Sequence, residues 1–181
     1  MSMASEHTAA LREMALCRAL SAPELEVIAA IIETREIAAG KELFREGDPG
    51  DGLFLVVAGE IDVVKRGPRG DRSLARLGAG GVLGEMSLVT ADARSATGRA
   101  TVESRVLHLP AQRFRALLEA GSSAALKVVA AIAEVLARRL ATMNNLALDL
   151  ADKVDPAGKS LPALKDKELA ELHRTMQVWS F

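Results

Sequence analysis

A chain of 181 residues is long enough to bury one good core and too short for two full-sized domains with linkers, which predicts one domain with helical flanks. Its 23 lysines and arginines nearly balance 24 aspartates and glutamates, which excludes a surface built to coat a polyanion and makes any anion site a local one. The single cysteine, Cys17, excludes an internal disulfide or an all-cysteine metal centre and fits a reducing, cytoplasmic compartment.

Residues 1–34 read as an N-terminal helical segment, with Leu11, Met14, Ala15 and Leu20 near helical spacing. A capping box at Ser21-Ala-Pro-Glu24 starts a second helix, whose apolar face is Ile28, Ile31 and Ile32. From Arg35 to Pro110 the texture becomes short runs of Val, Leu, Ile and Phe between glycine turns at Asp48–Gly52, Gly67–Gly70 and Gly78–Gly81. This is the rhythm of a β-barrel or jelly roll. Leu53 to Val57 and Ile61 to Val64 are predicted strands, and Thr101-Val102 with Val106 to Leu109 are predicted as the last pair. Helical period returns over residues 111–150, broken near Gly121. Val129, Ile132, Leu136, Leu140, Met143, Ala147 and Leu150 form one apolar stripe, on a helix of roughly 40 Å at 1.5 Å per residue. Such a length exceeds what a small barrel needs for cover, so the far half is expected to meet a second copy of the chain through 129–150; the alternative is a helix lying wholly on its own barrel, since an apolar stripe alone does not name its partner. Asp155–Gly158 then breaks the pattern, and 156–181 form an amphipathic segment with Leu169, Leu172, Met176 and Trp179 on one face.

The most informative stretch is Leu83-Gly84-Glu85-Met86-Ser87-Leu88, followed nine residues after Glu85 by Arg94-Ser95-Ala96-Thr97. A short helix opening at Gly84 offers free amides to an anion. Arg94 adds a planar fork of donors suited to phosphate oxygens, and Ser95 and the Ala96 amide can complete a cradle. Glu85 can only accept, which suits a ribose hydroxyl. The plain alternative is a structural ion pair between Glu85 and Arg94, with Gly84 as a turn glycine and Ser95 as a loop residue.

In order and spacing these residues resemble the phosphate-binding cassette of the cyclic-nucleotide-binding domain family, which includes the catabolite activator protein and the regulatory subunits of cyclic-AMP-dependent kinase. The Glu46–Asp51 turn and Gly59-Glu60 before Ile61 also match, so the resemblance covers about residues 20 to 150. Two positions depart from it: Leu83 replaces a frequent phenylalanine, and Gly98 stands where an aliphatic strand residue is usual. The resemblance implies an α+β, mainly β fold: a jelly-roll barrel (35–110, cassette 83–97) with N-terminal helices and a long C-terminal dimerisation helix. It implies a ligand rather than a cofactor, cAMP or cGMP, held by Leu83, Gly84, Glu85, Met86, Ser87, Arg94, Ser95 and Ala96. The base faces either Asn144 on the long helix or a lid formed by Trp179.

Rival functions have less support in the sequence. His7, His108 and His173 are scattered, unlike the clustered ligands of a jelly-roll metalloenzyme, and no catalytic triad signature occurs. A DNA reader after the long helix is not expected, because the roughly thirty residues beyond Leu150 are not markedly basic. No apolar run nears the ~20 residues that span a bilayer; Val27 to Ile32 is short, and Ala124 to Ala137 carries Lys127 and Glu134. Near the N-terminus, His7, Arg12 and Glu13 do not form a secretion signal. The expectation is therefore a non-enzymatic cytoplasmic sensor that binds a cyclic nucleotide and signals to an unidentified protein, with no nucleic-acid or membrane partner. A barrel that has lost its ligand and only dimerises, or a truncated transcription regulator, are the alternatives.

Overall fold

The computed structural model describes residues 3–154 apart from 69 and 91. The chain divides into two compact units, residues 1–134 and 135–181. The expected segment 156–181, with Trp179, lies outside the described residues.

Helix α1 (Met3–Arg12) leads through a short 3-10 turn (Ala15–Cys17) to α2 (Ala22–Ala29). The turn carries Cys17 into the interior, where burial pushes its thiol pKa up to about 12. The predicted capping box is present: Ser21 caps α2, and its amide donates to Glu24 Oε2 at 2.8 Å. Glu24 also receives Lys127 Nζ at 2.7 Å and Ser123 Oγ at 2.9 Å, so the same carboxylate fixes the start of α2 and the start of α5 (Ser123–Val154).

Eight strands follow: β1 (Glu33–Ile37), β2 (Glu42–Phe44), β3 (Gly52–Ala58), β4 (Ile61–Gly67), β5 (Gly70–Leu77), β6 (Val82–Leu83), β7 (Thr97–Ala100) and β8 (Ser104–Pro110). They form two four-stranded antiparallel sheets, β1-β8-β3-β6 and β2-β7-β4-β5, the jelly roll expected from the strand rhythm. The first strand starts at Glu33, two residues before the predicted change of texture.

The predicted pairing of the last two strands is corrected. Thr101 to Glu103 form the bend between β7 and β8, which lie in different sheets. Thr101 N donates to Glu60 O at 2.9 Å and Ser104 Oγ donates to Val102 O at 2.8 Å. These bonds turn the chain where β-propensity alone favours an extended one.

Phe54, Val56, Ile61, Leu83, Ala100 and Val106 form a buried cluster with Ile37, against which Leu43, Phe44 and Leu77 pack. Residues 52–56 of β3 are buried on both faces, because α3 (Glu85–Thr90) and α4 (Ala111–Glu119) also pack on this strand. Gly98, the departure noted in the sequence, has a spatial cause. A Cβ there would lie 3.1 Å from Phe44 Cζ and 3.3 Å from Leu83 Cδ1, so these two side chains occupy the volume an aliphatic residue would take.

Helix α5 begins after Gly121, which has φ +70 and closes α4. Its buried residues in the first unit are Ala124, Ala125, Val128 and Ile132. The inward face is thus centred on Val128 rather than on the predicted Val129, which is half-buried. In the second unit Leu140, Met143 and Leu146 are exposed at 61%, 67% and 56%.

Two outcomes are expected. Gly98→Val should lower stability by about 1–3 kcal/mol, the usual cost of overpacking, read by urea unfolding; an unchanged midpoint would show that Phe44 and Leu83 yield freely. Glu24 has its pKa lowered to about 2 by Lys127, the Ser21 amide and Ser123. Its contribution is present above the ordinary value of 4.5 and is lost as pH falls towards the folded value. Acid unfolding of Glu24→Gln should accordingly be less steep between those limits than that of the parent.

Candidate functional site

The cassette starts in the core and turns outward. β6 places Leu83 opposite Phe54 of β3, and Gly84 reverses the chain with φ +77. A Cβ at Gly84 would stand 2.1 Å from Arg94 Nη1 and 2.9 Å from Gly52 O, so both the left-handed backbone and the close approach require glycine. The following α3 spans only Glu85–Thr90 and packs on β3. Glu85 and Ser87 are buried, whereas Met86 is exposed. Ser87 lies against Gly50, where a Cβ would come within 2.2 Å of Ser87 Cβ.

The second arm of the cassette is clipped to the turn before β3. Arg94 N donates to Asp48 O at 2.8 Å and Gly47 N donates to Arg94 O at 2.9 Å. One step further, Glu46 N donates to Thr97 Oγ1 at 3.0 Å. Lys65 of β4 donates to Ser95 O at 2.7 Å and pairs with Glu46 at 2.7 Å. Ser95 itself is exposed and Ala96 is buried.

These clips set the backbone, and the Arg94 side chain then points inward, 1% exposed. Its guanidinium carbon lies 4.3 Å from the Phe44 ring centre and 5.1 Å from that of Phe54. Nη2 donates to Asp51 Oδ1 at 2.5 Å and Nη1 donates to Gly84 O at 3.4 Å, while Nε has no partner. Burial pulls the Arg94 pKa below the ordinary guanidinium value, and the bond and charge of Asp51 oppose that fall. The structure thus supplies two aromatic rings, the hydrogen-bonded Asp51 carboxylate and the charge of Glu85 for the buried cation.

Of the two arms of the cassette, the structure joins Gly84 to Arg94 directly and sets the charge of Glu85 near Arg94. Asn144 is an exposed residue of α5 in the second unit. Sequence reasoning missed Asp51, Phe44 and Lys65. Asp51 closes the glycine turn that matched the family, but an acid in such a turn reads as a turn former, and its pairing across 43 residues leaves no local signal.

A further charged cluster adjoins Asp51. His108 of β8 is buried and stacks on Phe54 at 4.6 Å. Arg35 Nη2 donates to its Nδ1 at 2.8 Å. Glu33 joins Arg113 of α4 at 3.1 Å. An open cleft of about 760 Å³ is bounded by Glu33, Asp51, His108 and one side of α4 from Ala111 to Glu119. Among the described residues no group of His, Cys, Asp and Glu side chains could hold a metal ion, and no single helix is long and apolar enough to cross a membrane.

Comparison with known proteins agrees with this geometry. Residues 34–120 match the model of the cyclic nucleotide-binding domain. The chain is 34% identical over 137 residues to the cyclic AMP receptor protein of Thermus thermophilus, covering 75% of this chain and 61% of that protein. A cyclic nucleotide-binding domain of Methylobacillus flagellatus superimposes with TM-score 0.70 at 26% identity, covering 81% of this chain and 83% of that one. A cyclic nucleotide-binding-like protein of Brucella abortus has TM-score 0.55 at 31% identity, covering 63% of this chain and 98% of that one. The chain spans less than two thirds of the length of the curated relatives it matches. With the cassette, the jelly roll and these likenesses in agreement, the chain belongs to the cyclic-nucleotide-binding domain family.

Proposed function

We propose that this chain is a regulatory sensor, not a catalyst, that binds cAMP, with Arg94 gripping the cyclic phosphate and Glu85 accepting from the ribose hydroxyl. The observation that carries the reading is a guanidinium with 1% exposure, held by Phe44, Asp51, Phe54 and Gly84 and feeling the charge of the buried Glu85. A structural ion pair needs no glycine at 84 and no clip at 47–48, whereas a ligand cradle needs the cassette held in register. The small hydroxyl residue Ser95 suits either purine nucleotide, so cGMP is the competing ligand. The name of the Thermus relative supports cAMP.

The signal leaves through helices. The exposed apolar residues Leu140, Met143 and Leu146 favour a homodimer through 129–150, with two helix arrangements. A ligand moves such an equilibrium only by binding the two states differently. Site and output of this kind fit a cytoplasmic protein with a separate effector.

Calorimetric titration with cAMP and cGMP tests the assignment, and Arg94→Ala should lose ~2–5 kcal/mol of binding, the range for truncating one partner of a buried charged pair. Binding as tight as the parent, in a variant whose circular dichroism shows it folded, would refute the role of Arg94. For the dimer, replacing Leu140 and Met143 with Glu should give monomers in sedimentation, because unpaired charge in an apolar seam is costly. A parent already monomeric at high concentration would remove the dimer from the proposal.

A further inference from the structure

His108 occupies a position in β8 where Glu33 of β1 and Phe54 of β3 are its register partners. Arg35 can only donate, so Nδ1 accepts its bond at 2.8 Å and the single proton of the neutral ring sits on Nε2. That Nε2–H is buried without a hydrogen-bond partner, an arrangement that normally carries a cost. Asp51 Oδ2 lies 3.6 Å from it. The other Asp51 oxygen is committed to Arg94 at 2.5 Å.

The same ring has a second arrangement within reach. Glu33 Oε2 lies 3.6 Å from Nδ1 while Asp51 Oδ2 lies 3.6 Å from Nε2. A protonated ring therefore has a carboxylate facing each nitrogen. Arg35, 3.9 Å from Glu33 and 3.6 Å from Asp51, would give up Nδ1 and keep both acids as neighbours. Arg113 faces the same cluster from α4 through Glu33, and Arg94 faces it from the cassette through Asp51. The cleft bounded by His108 and α4 opens this corner to solvent.

An anion arriving at Arg94 makes one cation serve two anions. We propose that His108 is a positioning residue for the anion site: as the ligand phosphate takes over Arg94, Asp51 moves to His108, which takes a proton from solvent on Nδ1, so ligand binding is coupled to proton uptake. This rests on the assignment of Arg94 to a cyclic phosphate. In the ligand-free protein burial, then Arg35, hold the His108 pKa below the ordinary imidazole value, and an Asp51 no longer shared with Arg94 raises it. A pKa raised on binding gives extra affinity that is full below the ligand-free value and fades as pH rises through the value in the complex.

Calorimetry of the full chain with cAMP at about pH 6, 7 and 8, in two buffers of different ionisation heat, should show affinity rising severalfold on acidification, by at most about tenfold per pH unit. The buffer dependence should report proton uptake. His108→Gln, whose amide N–H replaces Nε2–H without titrating, should bind with a flat pH profile. Nitrogen NMR of the ligand-free parent should find the Nε2–H tautomer, which needs no variant to fold. A flat profile in the parent, an equal slope in folded His108→Gln, or an Nδ1–H tautomer overturns the coupling while leaving nucleotide binding intact. No binding at any pH overturns both.

Discussion

Inside a protein a guanidinium must be given back what water supplied outside it. For Arg94 the replacement comes from the adjacent rings of Phe44 and Phe54, from Asp51 and from the Gly84 carbonyl. Much of the local sequence follows from that requirement. Phe44 can reach the guanidinium because Gly98 leaves room for its ring. Gly84 can offer its carbonyl because it has no Cβ to strike Nη1. The turn before β3 holds the Arg94 backbone at both its amide and its carbonyl, so the side chain enters at a fixed depth. Lysine could carry the charge, but not the planar fork of donors.

The two sheets divide the work. In the β1-β8-β3-β6 sheet, β3 is buried on both faces and carries Phe54 between His108 and Leu83. It is the rigid floor on which α3 rests. In the other sheet, β5 is an edge strand exposed along nearly its whole length. It carries Asp71, Arg72 and Arg76, charges of the kind that keep an unpaired edge from recruiting another strand. Between these extremes β4 contributes Lys65, which steadies the Ser95 carbonyl and Glu46 from the solvent side. The cassette is therefore held from below by packing and from above by polar bonds.

The sequence made the barrel legible through its glycine turns and apolar runs, and made the cassette legible because its parts lie within fifteen residues of one another. Both signals are local. What it hid was non-local: the pairing of Arg94 with Asp51, and the chain from Asp51 through His108 and Arg35 to Glu33, join β1, β3, β8 and the cassette. No periodicity records such contacts. The error over the last strands had a different origin, since Thr101-Val102 has strand propensity that hydrogen bonds to Glu60 override. The shift from Val129 to Val128 on the inner face of α5 reflects how closely adjacent residues of a helical stripe compete. Gly98 looked like a weakness in the sequence and is instead the space for an aromatic ring.

The short turn that takes Cys17 inside has a practical corollary. A thiolate is the reactive form, and this thiol is both enclosed and held protonated, with a pKa about 12. Folded protein should consequently be slow towards maleimides at neutral pH without replacement of its native cysteine. A spectroscopic label attached to a new thiol on the exposed part of α5 would report that helix alone, and loss of the label's selectivity would itself register the opening of the N-terminal layer.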